Sequence, residues 1–249
     1  MRKITIFILK TIILICSIII IYKCIYYYKD SQTYTDLKTF KPEPIKYSVE
    51  NSDFKSEDSV PSTITSNEPS LIDTNSDYKF WISIANTNID YPVVKGNNNE
   101  FYLYHDFNKN KSESGCLFID SRNVLNEDKN MLIYGHNMRN GTMFNTLSNF
   151  KNEDFFLNNS NIEIIENNKL YIYDIFSVYT IPANDIDFKL TFENDNDYLK
   201  YLNLLKENSW YEKDISLDVN NNMITLVTCS YEYSNARTVV HAIERNITP

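Results

Sequence analysis

Glycine is scarce in this 249-residue chain, with four in all. That argues against the glycine-rich loops that cradle phosphates. Histidine is scarcer still at three residues, and tryptophan stops at two. The four cysteines, Cys16, Cys24, Cys116 and Cys229, form no Cys-x-x-Cys pair and no Cys/His cluster at zinc spacing. No acidic stretch has the ligand pattern of an EF-hand loop. No metal or other cofactor is therefore expected. Positive charge is also short: 24 Lys and Arg face 33 Asp and Glu, for a net charge of −9, with no basic cluster. A nucleic-acid backbone needs a basic face, so nucleic acid is not an expected partner.

What the chain does have is apolar mass. Hydrophobic residues make up 43% and aromatics 14%, with 19 Tyr and 14 Phe. That suffices for one core plus appendages at this length. Asparagine runs such as Asn97-Asn98-Asn99 and Asn220-Asn221-Asn222 mark turns, because Asn tolerates left-handed backbone.

Residues Ile4 to Tyr22 are almost wholly apolar, interrupted by Lys10. About 20 such residues cross a bilayer as a helix. Arg2 and Lys3 precede the run and place its N-terminus on the cytoplasmic side. Tyr22, Tyr26, Tyr27 and Tyr28 read as an outer interfacial belt. A cleaved signal peptide is the competing reading, but bulky Ile, Tyr and Lys follow where small residues would mark a cleavage site. Both readings export the remainder. The expected organisation is a membrane anchor over 1–28, a polar tether over 29–76 and a folded domain over 77–249. The tether carries Pro42, Pro44, Pro61 and Pro69, with a short helix expected around Ser31–Phe40.

Within the domain, strands are expected at Phe80–Ile84, Ile89–Val94, Gly115–Asp120, Met131–Tyr134, Ile162–Ile165, Leu170–Thr180, Met223–Cys229 and Arg237–Glu244. Short helices are expected at Glu100–His105, Met143–Asn149 and Glu153–Leu157. A longer one is expected at Asp195–Glu207, with Tyr198, Leu199, Leu202 and Leu205 on one face. Many short strands with few helices predict a mostly β fold with added helices, a mainly antiparallel barrel.

Three places can carry chemistry. Thr225-Leu226-Val227-Thr228-Cys229 runs a strand into a cysteine at its end, followed by a loop. A thiol there is accessible yet held on a rigid element; a buried core cysteine is the bland alternative. Tyr134-Gly135-His136-Asn137 ends another strand at a glycine and a histidine. A cysteine nucleophile takes its histidine from elsewhere in the sequence. His105 and His241 compete for that role, and an ordinary turn histidine is the bland reading. Arg237, eight residues after Cys229, lies where a hairpin brings it beside the thiol. Its guanidinium stays protonated, so it is no base, but it can bond a developing oxyanion; the alternative is a surface arginine. A Cys116–Cys229 disulfide would silence the thiol, and Cys116 is expected to be buried and unbridged.

Thr-Leu-x-Thr-Cys followed by Arg after a short loop, with Gly-His-Asn upstream, resembles the sortase active-site motifs in sortase order. The resemblance covers about Tyr78 to Ile243. The long segment before Cys229 that holds the Asp195–Glu207 helix resembles class B sortases, as does Tyr102-Leu103-x-His105-Asp106-Phe107. The resemblance implies a sortase-type eight-stranded β-barrel. It implies Cys229 as nucleophile, His136 as acid and base, and Arg237 as oxyanion or substrate clamp. Tyr134, Thr228, Asn99 and Leu103 would line the substrate groove. It further implies cleavage after Thr in a C-terminal sorting motif of surface proteins and transfer of the acyl group to a cell-wall amine. The enzyme would be a single-pass cell-membrane protein with an extracellular catalytic domain. Val227 and Ser230 stand where some class B members have Ser and Glu. A cysteine hydrolase and a non-catalytic anchored binding domain remain as readings from other classes.

Overall fold

The computed structural model describes residues 2–44 and 68–246. The part of the expected tether over 45–67 lies outside the described residues. Two units are separable, Met1–Thr39 and Phe40–Pro249.

The first unit is one helix, α1 (Arg2–Lys38). Its stretch Ile4–Lys38 is long and apolar enough to cross a membrane, a property that signal sequences share. Ile and Leu side chains are exposed along it. The hydroxyls of Thr11 and Ser17 donate to the carbonyls of Phe7 and Ile13, which satisfies them within the helix. The separate helix expected around Ser31–Phe40 is instead the continuation of α1. Gln32 donates to Asp36 one turn on at 2.8 Å, and no proline intervenes before Pro42, where the helix has already ended.

In the second unit, α2 (Glu68–Thr74) lies inside the stretch 29–76. Leu71 is buried, and the Glu68 carboxylate accepts the N–H groups of Asn167 and Asn168. Those two asparagines have φ of 51° and 60°. They form the two-residue turn between β5 (Asn161–Glu166) and β6 (Lys169–Pro182), a geometry that favours Asn over branched residues.

The remaining strands are β1 (Tyr78–Ile84), β2 (Asp90–Val94), β3 (Leu117–Ile119), β4 (Asn130–Tyr134), β7 (Met223–Ser230) and β8 (Ala236–Glu244). They close into an eight-stranded barrel in the order β1-β2-β3-β4-β7-β8-β6-β5. The β2–β3 and β4–β7 pairs are parallel; the other pairs are antiparallel. Closure removes sheet edges, and large side chains such as Ile82, Phe118 and Phe176 are buried within the unit.

Two expected helices are tighter than the sequence suggests. Glu100–His105 contains a 3₁₀ turn at Phe101–Leu103, and Met143–Asn149 gives way to a 3₁₀ helix at Asn145–Lys151. Met143 has φ of 56°, which excludes it from a right-handed helix. Helix α3 (Glu153–Asn158) starts at Asn152, whose side chain accepts from the Phe155 N–H. Helix α4 (Asp195–Glu207) is capped the same way by Asn194, with Asp195 and Asp197 at its positive end. Its buried face is Tyr198, Tyr201, Leu202 and Leu205, packed on Phe176, Met223 and Ile243. Leu199, expected on that face, is exposed; Tyr201 completes the i, i+3, i+4, i+7 stripe instead.

Candidate active site

The site grows from the ends of β4, β7 and β8. Alternation along a strand puts Thr225, Val227 and Cys229 on one face of β7. Antiparallel register sets Cys229 directly opposite Arg237, Val227 opposite Val239, and Thr225 opposite His241. Directly opposed residues have Cβ atoms about 4.5–5.5 Å apart, so the guanidinium stem starts beside the thiol. Cys229 and Arg237 are both half-buried. Arg237 donates to its neighbour's carbonyl, Ala236 O, at 3.0 Å. It forms no ion pair among the described residues, so most of its donors remain open.

β4 runs parallel to β7, with Tyr134 opposite Val227. Gly135 follows, and its N–H continues the ladder to Val227 O at 3.2 Å. A Cβ at Gly135 would sit 2.3 Å from the Leu117 side chain and under 3 Å from the Phe144 ring. Glycine is therefore the residue that lets the chain pass here and deliver His136 to the groove.

His136 is held from several sides. Its Nε2 lies 2.8 Å from the carbonyl of Leu103. A carbonyl only accepts, so Nε2 carries the hydrogen, and Nδ1 is the nitrogen left to exchange a proton. Its own carbonyl accepts the Phe144 N–H. The next residue, Asn137, donates through Nδ2 to Cys229 O at 2.8 Å and accepts at Oδ1 from Asn145. The Tyr231 hydroxyl donates to Asn137 O. Asn137 thus fastens the histidine loop to the strand end that bears the thiol, a role the sequence did not assign.

A groove of about 370 Å³ is lined by Cys229, His136, Arg237, Tyr134, Thr228, Asn99 and Leu103, together with Phe118, Gly135 and Val227. All seven residues singled out from the sequence therefore meet in one place. Larger or more enclosed cavities exist elsewhere, but neither contains this set. Two lining residues are tied to other residues of the groove. The Thr228 hydroxyl donates to Gly135 O at 2.7 Å, tying β7 to the histidine turn. Leu103 contributes its carbonyl to His136 as well as a wall.

The rival histidines stand elsewhere. His105 stacks on Phe101 at 4.0 Å and bonds that residue's carbonyl. His241 is wholly buried, and burial pushes its pKa down to about 3. Neither lines the groove. Cys116 is buried behind β2, its thiol 3.8 Å from Pro92 O, and no disulfide joins it to Cys229. Next to Cys229, Ser230 accepts from Lys151 at 2.8 Å, and Lys151 also pairs with Glu232 at 2.9 Å. The carboxylate missing at position 230 thus recurs two residues on, but it meets Lys151 and not Arg237.

The family model for the sortase domain matches residues 82–245. The sortase B of Listeria monocytogenes is 34% identical over 170 residues, 67% of this chain and 69% of that protein. That of Staphylococcus aureus is 34% identical over 166 residues, 66% and 68% of the two chains. Among solved structures, Clostridium perfringens sortase B superposes with a TM-score of 0.70 at 47% identity, covering 72% of this chain and all of the other. A Staphylococcus aureus sortase B–substrate complex gives 0.74 at 26% identity, covering 90% of this chain and all of the other. The chain belongs to the sortase family of cysteine transpeptidases, and it is most like the class B members.

Proposed function

We propose that this chain is a membrane-anchored transpeptidase that cleaves a C-terminal sorting motif of surface proteins after Thr and joins the acyl group to a cell-wall amine. The observation that carries the reading is the meeting of Cys229, His136 and Arg237 in one groove. Cys229 passes its thiol proton to His136 Nδ1, and the thiolate attacks the carbonyl carbon after Thr while Arg237 bonds the oxyanion of the tetrahedral intermediate. The C–N bond then breaks, and His136 gives its proton to the departing amine. A thioester on Cys229 remains. The acceptor amine attacks that thioester and passes a proton to His136. The C–S bond breaks, and the thiolate is restored.

The helix at Ile4–Lys38 supports anchoring with a cytoplasmic N-terminus. We assign residues 1–28 to the anchor, 29–76 to a tether and 77–249 to the catalytic domain. Tyr134, Thr228, Asn99 and Leu103 are assigned to the substrate groove. A solved relative is a sortase B–substrate complex, which favours substrate binding by this chain too.

The test is to incubate the full chain in detergent micelles with a panel of sorting-motif peptides and an oligoglycine or diaminopimelate-like amine. Intact mass spectrometry follows protein and products. A thioester on Cys229 and a peptide–amine product are expected. An adduct that yields only hydrolysed peptide with every amine would instead favour a cysteine hydrolase. No adduct at all, with Cys229 resistant to alkylation, would leave a non-catalytic binding domain.

A further inference from the structure

Asp120 follows β3 and is 1% exposed, yet it carries a carboxylate. Its Oδ2 accepts from the Tyr134 hydroxyl at 3.1 Å and from Arg122 Nη2 at 3.0 Å. Its Oδ1 accepts from the Arg122 main-chain N–H at 2.9 Å and from Arg122 Nε at 3.1 Å. The Asn99 side chain bonds it as well, while Asn99 Oδ1 accepts the Ser121 N–H at 2.7 Å. Burial raises the Asp120 carboxyl, but the Arg122 and Asn99 bonds outweigh it and hold the group below the ordinary carboxylate range. It is a charged hub at neutral pH.

Two of its donors, Tyr134 and Asn99, are groove walls, whereas Asp120 itself does not line the groove. Its partner Arg122 is 53% exposed at the side chain, so only the carboxylate is buried, and an apolar side chain could fill its space without the cost of desolvating a charge. The charge therefore calls for a reason beyond packing. Its bonds supply one. With the Tyr134 hydroxyl drawn into Asp120, the tyrosine turns its ring to the groove, stacked on Phe118 at 5.5 Å. With both ends of its amide engaged, Asn99 is held in one orientation.

We propose that Asp120 is a positioning residue for the substrate: by holding Tyr134 and Asn99 it sets the shape of the groove wall on which the peptide rests. This rests on the transpeptidase reading of the groove. Asp120 acts on peptide binding and leaves the reactivity of the thiol alone.

The experiment compares the full chain in detergent with Asp120→Asn and Asp120→Ala. It uses the panel peptide that best acylates the unaltered protein. For Asp120→Asn, KM is expected to rise about tenfold with kcat within about threefold; Asp120→Ala should be worse. Alkylation of Cys229 by iodoacetamide should keep its rate within about twofold. A tyrosine-labelled sample gives a readout without substrate: the Tyr134 ring carbon signal, assigned by its loss in Tyr134→Phe, should shift in Asp120→Asn. Should Asp120→Ala fail to fold, the near-isosteric Asp120→Asn carries the test. An unchanged KM with only a lowered melting temperature would overturn the proposal. So would a fall in kcat and in alkylation rate together, since Asp120 would then act on the nucleophile. If no peptide acylates the unaltered protein, the transpeptidase reading fails, and the Tyr134 signal decides the role of Asp120 by itself.

Discussion

Thr225 and His241 face each other across β7 and β8 four residues below Cys229 and Arg237, on the same side of the sheet, and the two pairs meet opposite surroundings. The lower pair is sealed. Asn130 Nδ2 donates to Lys189 O, so its Oδ1 must accept from the Thr225 hydroxyl at 2.8 Å. Thr225 Oγ1 then accepts from His241 Nδ1–H at 2.9 Å, and Nε2 accepts from the Tyr179 hydroxyl at 2.9 Å. Every polar atom in this row has a partner, and Phe188 closes over the imidazole. Phe188, Ile186 and Leu190 pack there with Val227 and Val239. Past Val227 the cover stops, and Cys229, Arg237 and His136 meet the groove with donors to spare. One strand pair therefore makes a core at one end and a groove wall at the other. The difference lies in what the chain between β6 and β7 covers: a satisfied polar row stabilises, whereas an unsatisfied one can bind a reacting group.

The comparison predicts a gradient of effects. At the open end, Cys229→Ala should abolish the acyl-enzyme entirely while shifting the melting temperature little. An adduct on that variant in intact mass spectrometry would dismiss Cys229 as nucleophile. Arg237→Lys should lower peptide acylation by about 100–1,000-fold, the usual cost of losing an oxyanion donor, because a lysine lacks the planar fork. Steady-state kinetics checks this, and near-normal turnover would remove Arg237 from the chemistry.

At the sealed end the effect should move from rate to stability. His241→Leu strands the Tyr179 hydroxyl and leaves Thr225 only its bond to Asn130, at about 1–3 kcal/mol for a buried group left unsatisfied. Denaturant unfolding measures that loss, and an unchanged stability would mean the row contributes nothing.

The buried imidazole also predicts a pH response. Its pKa is about 3 when folded against an ordinary 6.5. Above pH 6.5 both states are neutral, and the group adds nothing. As pH falls below 6.5 the unfolded chain takes up a proton that the folded chain refuses, so stability drops at up to about 1.4 kcal/mol per pH unit. His241→Gln should remove that part of the slope between about pH 6 and 4, relative to the unaltered chain. Parallel curves for the two would exclude His241 as its source.

The smallest effect is expected at Lys151–Glu232. Glu232 is 40% exposed at its side chain, and solvent-screened pairs contribute about 0–1 kcal/mol. Glu232→Gln should therefore change unfolding by less than about 1 kcal/mol and leave acylation within twofold. A large loss of acylation would mean that this pair sets the loop after the nucleophile.

Much of this was legible in the residues. All eight strands stand within a few positions of where β-branched and aromatic runs place them, because a barrel repeats a period of two that a linear reading detects. The Cys-His-Arg set was legible through motif order, and Arg237 through hairpin length. Less legible were the Met143 turn, whose left-handed backbone breaks an apparently helical run, and the α4 face, where Tyr201 rather than Leu199 turns inward. Invisible were the partners that cross the fold: Asn137 to the Cys229 carbonyl, His136 to the Leu103 carbonyl, and Asp120 to Tyr134.

Local pattern by itself determined the strands and the apolar N-terminal run, since each depends on neighbours a few residues away. Which carbonyl holds the His136 ring, which nitrogen of that ring stays open, and which carboxylate accepts from Tyr134 were decided only by tertiary structure. Those outcomes depend on contacts between residues 14 to 93 positions apart, and such contacts exist only once the barrel has closed.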